Sequence, residues 1–227
     1  MNSPQRYIDP DGEEWVENTG KDKAEKPWIW VDKCPKKQTC YEIVVTRNSN
    51  SLTIYQKNGG TSTYYANEHG QIDLRELAMN DDAYFEVAND QRVPEEWVGI
   101  QAASALFVAA YNYHSVYTSD DKLVVTAANL SNGKPCVHKS GKKCHSGHRG
   151  NALDIRYMNS DGNAVKAGDS SYSLADVERM KKLIDLFSKS GFNTVFTGYN
   201  PKFGLPRPAK NTKGNENVHK NHIHFNN

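Results

Sequence analysis

The histidines of this chain are not scattered. Of eight, six fall into two groups, His138, His145 and His148 in one and His219, His222 and His224 in the other. The first group runs directly into an apolar segment, Ala152-Leu153-Asp154-Ile155, which reads as a strand with an aspartate inside it. A carboxylate in the middle of an apolar strand is costly to bury unless something pairs with it. Successive strand residues point to opposite faces, and residues i and i+2 share one. Asp154 can therefore face a polar site while Leu153 packs into a core. By the same rule His222 and His224, in the closing segment "HIHFN", look to a single side. His148 sits just before the strand that carries Asp154, within easy reach of it.

Two imidazoles and one carboxylate are the ligand set of a catalytic zinc ion, which keeps its fourth position open for water. Such an ion lowers the pKa of its water to about 7 and polarises a carbonyl oxygen. A spare histidine beside it can carry protons, because imidazole titrates near working pH. Taken singly, each residue has a plainer reading. Asp154 could bond a loop amide, His222 and His224 could be a solvated strand face, and His145 and His148 could belong to a basic loop. Taken together, those plain readings require a coincidence. The expectation is a Zn2+ site.

Length and composition set the frame. A chain of 227 residues can bury a core without help from metal or disulfides. The net charge of +1 gives no support for a nucleic-acid partner. No apolar run approaches the ~20 residues of a membrane span. Met1 leads into "NSPQRYIDPDGEEW", without the charged and apolar regions of a signal peptide, so delivery is expected to come from elsewhere. The cysteines form two close pairs, Cys34 with Cys40 and Cys136 with Cys144. Their C-x5-C and C-x7-C spacings are wider than structural zinc prefers. Two local disulfides, Cys34–Cys40 and Cys136–Cys144, are expected instead, in an oxidising compartment.

Three regions are expected. Residues 1–33 are charged, contain Trp15, Trp28 and Trp30, and read as a linker or extended arm. Residues 34–92 read as a β-rich subdomain, with a hairpin signal in "CYEIVVTRNSNSLTIYQKN" and short strands at "STYYAN" and "AYFEV". Residues 93–227 read as the domain that holds the histidines. It opens with Pro94 at a first helical position, followed by Glu95 and Glu96. Apolar residues then fall almost all round the helix, as in a buried central helix. "KLVVTAANL" and "ALDIRYM" follow as strands, flanking a Gly- and Lys-rich loop. Ser173 to Asp176 resembles a capping box. Leu174, Val177, Met180, Ile184 and Phe187 make one apolar stripe, and Gly191 is placed to end the helix. Strands "FNTVFTGY" and "HIHFN" complete the order. The fold class expected is α+β: a small, largely antiparallel sheet carrying a zinc site, flanked by helices, with a β-rich N-terminal extension.

These residues resemble the superfamily of lysostaphin-type peptidases, D-Ala-D-Ala peptidases and the hedgehog amino-terminal domain. Within it the chain is most similar to the penicillin-insensitive murein endopeptidases. His145-Ser146-Gly147-His148 matches their H-x-x-H, and His219-Lys220-Asn221-His222-Ile223-His224 matches their H-x-x-H-x-H. Ser146 and His148, with Gly150, Ala152 and Asp154, also look like the S-x-H-x-x-G-x-A-x-D signature of D-Ala-D-Ala-type peptidases. The resemblance covers roughly residues 94–227 and is silent on the rest. It departs from the family in one respect. The stretch from His148 to Asp154 is one residue short, with the gap between His148 and Gly150, so the loop there must be tighter.

The resemblance implies that His148, Asp154 and His224 ligate zinc. His222 becomes the base or proton carrier, and His219 and His145 line the site and stabilise the transition state. Ser146 and Arg149 become substrate-binding residues. The activity implied is hydrolysis of amide bonds in peptidoglycan peptides, as a cross-link endopeptidase acting in the periplasm or cell wall. Lysines and Arg149 around the motifs suit peptides that carry free carboxylates. An interbacterial effector toxin, with a cognate immunity protein, and a phage lysis enzyme both remain open. So do a D,D- or L,D-carboxypeptidase acting on muropeptides and a non-catalytic zinc-containing cell-wall binding module. A purely structural zinc domain fits poorly, since such sites are mostly cysteine-rich and closed.

Overall fold

A computed structural model describes residues 5–7, 14–17, 19–20, 22–26, 28–31, 40–88, 96–117, 122–132, 150–165, 174–197, 209–211, 219 and 221–226. The chain divides into two compact units, residues 1–65 and 66–227. The mixture of helices and strands is that of an α+β protein.

Among the described residues, the first unit holds seven strands: β1 (Gln5–Tyr7), β2 (Glu14–Glu17), β3 (Trp28–Val31), β4 (Cys40–Tyr41), β5 (Ile43–Arg47), β6 (Ser51–Tyr55) and β7 (Thr61–Tyr65). They form a four-stranded sheet in the order β1-β5-β6-β7 and a three-stranded sheet in the order β3-β2-β4. The hairpin read at residues 40–58 is β5–β6. Its turn is held by Asn48, whose side-chain oxygen accepts from the amides of Asn50 and Ser51, both at 2.8 Å, an Asx-type turn. The segment that suggested an extended arm contributes strands here, because its tryptophans are a core. Trp15 and Trp28 are buried with Val44, and Trp30, Tyr41 and Tyr55 pack against them. Trp15 meets Trp30 and Tyr55 edge-on, with centroids 5.2 and 4.9 Å apart, the arrangement that ring quadrupoles favour. Its indole N–H donates to the Gln56 carbonyl at 2.9 Å.

The second unit begins upstream of the boundary expected near residue 93. It contains β8 (Gln71–Asp73), α1 (Leu74–Leu77), β9 (Phe85–Val87), β10 (Trp97–Gly99), α2 (Ile100–Tyr117), β11 (Leu123–Ala127), β12 (Ala152–Arg156), α3 (Val177–Lys189), β13 (Thr194–Thr197), β14 (Ala209–Asn211) and β15 (His222–Asn226). Strands β8 and β9 belong here because they pair here. β8 runs antiparallel to β10, and β9 runs parallel to β11. The main sheet has six strands in the order β14-β13-β15-β12-β11-β9. Its three central pairings are antiparallel and its two edge pairings parallel.

Helix α2 is buried on nearly every side, as its apolar composition requires. It starts at Ile100, not at Pro94, and residues 91–95 lie outside the described residues. Pairing overrides helix propensity here: Trp97, Val98 and Gly99 sit opposite Asp73, Ile72 and Gln71 of β8. Glycine suits this point, since a Cβ at Gly99 would press on the Asn151 side-chain oxygen and the Gly150 carbonyl. Helix α3 likewise starts later than expected. Its N-cap is Asp176, which accepts from the Arg179 amide at 2.7 Å, while Ser173 lies outside the described residues. A carboxylate cap suits the positive end of the helix. Gly191 ends the helix at φ 120°, with Gly191 N–H donating to the Ser188 carbonyl and Phe192 N–H to the Phe187 carbonyl, a Schellman closure. Among the described residues, no helix is long and apolar enough to cross a membrane.

One face of the main sheet packs on α3. Phe187 stacks on Phe225 with centroids 4.2 Å apart, and Phe192 lies 5.8 Å from Phe225. All three are fully buried, with Leu153, Ile155, Val195 and Ile223 around them. Phe225→Ala is expected to destabilise the fold by about 3–5 kcal/mol, the usual cost of truncating a buried aromatic. Urea denaturation of the two proteins measures it, and a loss under about 1 kcal/mol would place the core elsewhere.

Candidate metal centre

Phe225 and Leu153 point into the core, so by the strand period their neighbours point to the other face. The pairing of β12 with β15 then sets what meets there. Asp154 lies opposite His224 and Arg156 opposite His222, and across the next seam Phe196 of β13 also lies opposite His224. Directly opposed residues share a face with Cβ atoms about 4.5–5.5 Å apart. The result is a small grid on one face. One row reads Phe196, His224, Asp154. The next holds His222 and Arg156.

Asp154 is fully buried, and His219, His222 and His224 are each less than a tenth exposed. Such a carboxylate survives only with partners. Its Oδ1 accepts from His224 Nδ1 at 2.8 Å, and its Oδ2 lies 3.4 Å from His222 Nε2. An ionised carboxylate only accepts, so in this arrangement His224 carries its proton on Nδ1. On its other side, His222 Nδ1 lies 2.9 Å from the Asn221 side-chain oxygen. The His222 ring therefore sits between two oxygens, where it can hold a proton at either nitrogen.

His219 precedes β15 and is brought in by a separate device. The fully buried Tyr157, just past the end of β12, donates its hydroxyl to the His219 carbonyl at 2.9 Å. The His219 ring lies 5.3 Å from that of His222 and 5.9 Å from that of His224. Phe196 stacks against His219 at 5.8 Å, 13° from parallel, and lies 5.9 Å from the ring of His224. Half-buried Phe196 thus walls the histidines on one side.

The three described histidines of the closing motif and Asp154 therefore converge. His145, Ser146, His148 and Arg149 lie outside the described residues, as do Cys34, Cys136 and Cys144 and the side chain of Cys40. Gly150 N–H donates to the Asn129 side-chain oxygen at 3.3 Å, and Gly99 N–H donates to the Gly150 carbonyl. Gly150 adopts φ 78°, a conformation that favours glycine.

Whether this site suits zinc can be judged from its donor atoms. Zinc takes imidazole nitrogen and carboxylate oxygen at about 2.0–2.2 Å. Imidazole nitrogen of His224 and carboxylate oxygen of Asp154 are of those types, and the two residues are in contact, so both could serve as ligands. Among the described residues, no group of three or more His, Cys, Asp or Glu is placed to hold a metal ion. His148, which the resemblance implies as a further ligand, lies outside the described residues.

Four residues at this site were not singled out from the sequence: Arg156, Tyr157, Phe196 and Asn221. Arg156 was the most accessible, since the strand period already places it on the face of Asp154. Phe196 and Tyr157 enter only through cross-strand register and a contact distant in sequence. Compared with known proteins, the chain matches no family model, no curated protein and no solved structure.

Proposed function

We propose that the chain is a zinc-dependent hydrolase of amide bonds in peptidoglycan peptides, similar to the penicillin-insensitive murein endopeptidases. The observation that supports this reading is the buried Asp154–His224 pair, with His222 and His219 beside it. His148, Asp154 and His224 would hold the ion. When bound, zinc supplies a water that ionises near neutral pH and a Lewis acid for the scissile carbonyl.

The rest of the work falls to the chain. Asp154 orients His224 through Oδ1. His222, between Asp154 Oδ2 and Asn221, takes a proton on the ring and returns one to the departing amine. His219, braced by Tyr157 and Phe196, faces the same space and supports the developing negative charge. Phe196 and the burial of the imidazoles limit water, which strengthens each of these interactions. A substrate of this kind places the enzyme's action in the periplasm or cell wall, reached by secretion or by delivery as an effector or phage lysis protein. Delivery as an effector would call for an immunity protein as partner.

The test is digestion of purified muropeptides, followed by mass spectrometry, with and without a chelator. Dimers are expected to become monomers, and the chelator is expected to stop the reaction. Release of terminal D-Ala with dimers intact would make the protein a carboxypeptidase. No cleavage with zinc supplied would overturn the hydrolase reading.

A further inference from the structure

We infer that Arg156 is a specificity residue that binds a free carboxylate of the substrate beside the scissile amide. The inference rests on the hydrolase reading above. Arg156 follows Asp154 by two positions on β12, so the two share a face about 6.5–7 Å apart. It lies directly opposite His222 in the β12–β15 register. It is half-buried, not a solvated edge residue. A guanidinium carries its donors in a planar fork. That fork matches a carboxylate with two parallel N–H···O bonds.

Placement decides which end of a substrate it meets. The row of Phe196, His224 and Asp154 holds the donors suited to zinc, and His222 stands in the next row with Arg156. A peptide whose scissile amide lies over Asp154 and His222 brings the groups just beyond that bond onto Arg156. Electrostatics point the same way. With zinc bound, Asp154 cancels only part of the ion's charge, and Arg156 adds to what remains, so the face attracts an anion. Peptidoglycan peptides offer two kinds of carboxylate within such a reach: the C-terminal α-carboxylate and a side-chain carboxylate of the stem peptide.

The experiment uses synthetic cross-linked peptide dimers in three forms: both carboxylates free, the C terminus amidated, and the side chain amidated. The wild-type, zinc-loaded protein is assayed on each. It is expected to favour the free dimer over one of the amides by roughly 10- to 100-fold in kcat/KM, the range for losing a hydrogen bond to a charged group. The amide that suffers identifies the carboxylate bound. In Arg156→Gln that preference is expected to collapse towards one, mainly through KM, and Arg156→Lys is expected to restore part of it. A merely structural arginine would lower the rates on all three dimers together and leave their ratio unchanged, which would overturn the assignment. So would a wild-type enzyme that cleaves all three equally, a result that leaves the hydrolase reading standing. A wild-type protein that cleaves none of them removes that reading and the assignment with it.

Discussion

Asp154→Asn is expected to strip the protein of zinc and of amide hydrolysis while leaving its fold in place. Asparagine keeps the volume of the fully buried carboxyl and a side-chain oxygen for the hydrogen bond that His224 now makes at 2.8 Å. It removes the negative charge that a divalent ion would need to offset its own desolvation. The opposite face of the sheet, where Phe187, Phe192 and Phe225 pack, is untouched by the change, so the core should survive. Elemental analysis after gel filtration reads the zinc, and thermal unfolding reads the fold. The wild type is expected to carry a single zinc and the variant essentially none, with activity falling in step. A variant that retains full zinc would remove Asp154 from the ligand set. A variant that unfolds would show instead that the Asp154–histidine cluster is structural.

Replacing His222 separates chemistry from metal binding. His224 lies on Asp154 Oδ1 at 2.8 Å, whereas His222 Nε2 stands 3.4 Å from Oδ2 and is engaged at its other nitrogen by Asn221. Its position suits proton transfer beside the ion. His222→Ala and the bulkier His222→Gln are therefore expected to keep zinc and lose about 10²–10⁴-fold in turnover, with KM little changed. Zinc content and muropeptide kinetics on the same preparations decide the matter. Loss of zinc in both variants would make His222 a ligand closing a structural site. Retention of both zinc and full turnover would move proton transfer to His219 or His145.

Much of this arrangement could be read from local patterns. The two-residue period of a strand puts His222 and His224 on one face and divides Asp154 from Leu153 whatever the strands later pair with. The nearly unbroken apolar surface of α2 demands burial, and the stripe of Met180, Ile184 and Phe187 demands a partner face for α3. Each of these follows from backbone geometry that every helix or strand shares.

What the sequence left undecided concerns segments far apart in the chain. The strand period says that Asp154 faces a site, but only the β12–β15 register sets it opposite His224 and sets Arg156 opposite His222. A slip of one residue would have turned the same side chains into the core. Pro94, Glu95 and Glu96 carry the marks of a helix start, yet Trp97–Gly99, just after them, pairs with β8, because tertiary pairing outweighs the few tenths of a kcal/mol per residue in local preference. The tryptophans of residues 1–33 lie in a charged stretch that looks like an arm. They become a core only when Val44, Tyr41 and Tyr55 come to meet them. Periodicity is a property of one segment, whereas register and core membership depend on which segments meet, and that is settled by burial summed over the whole fold.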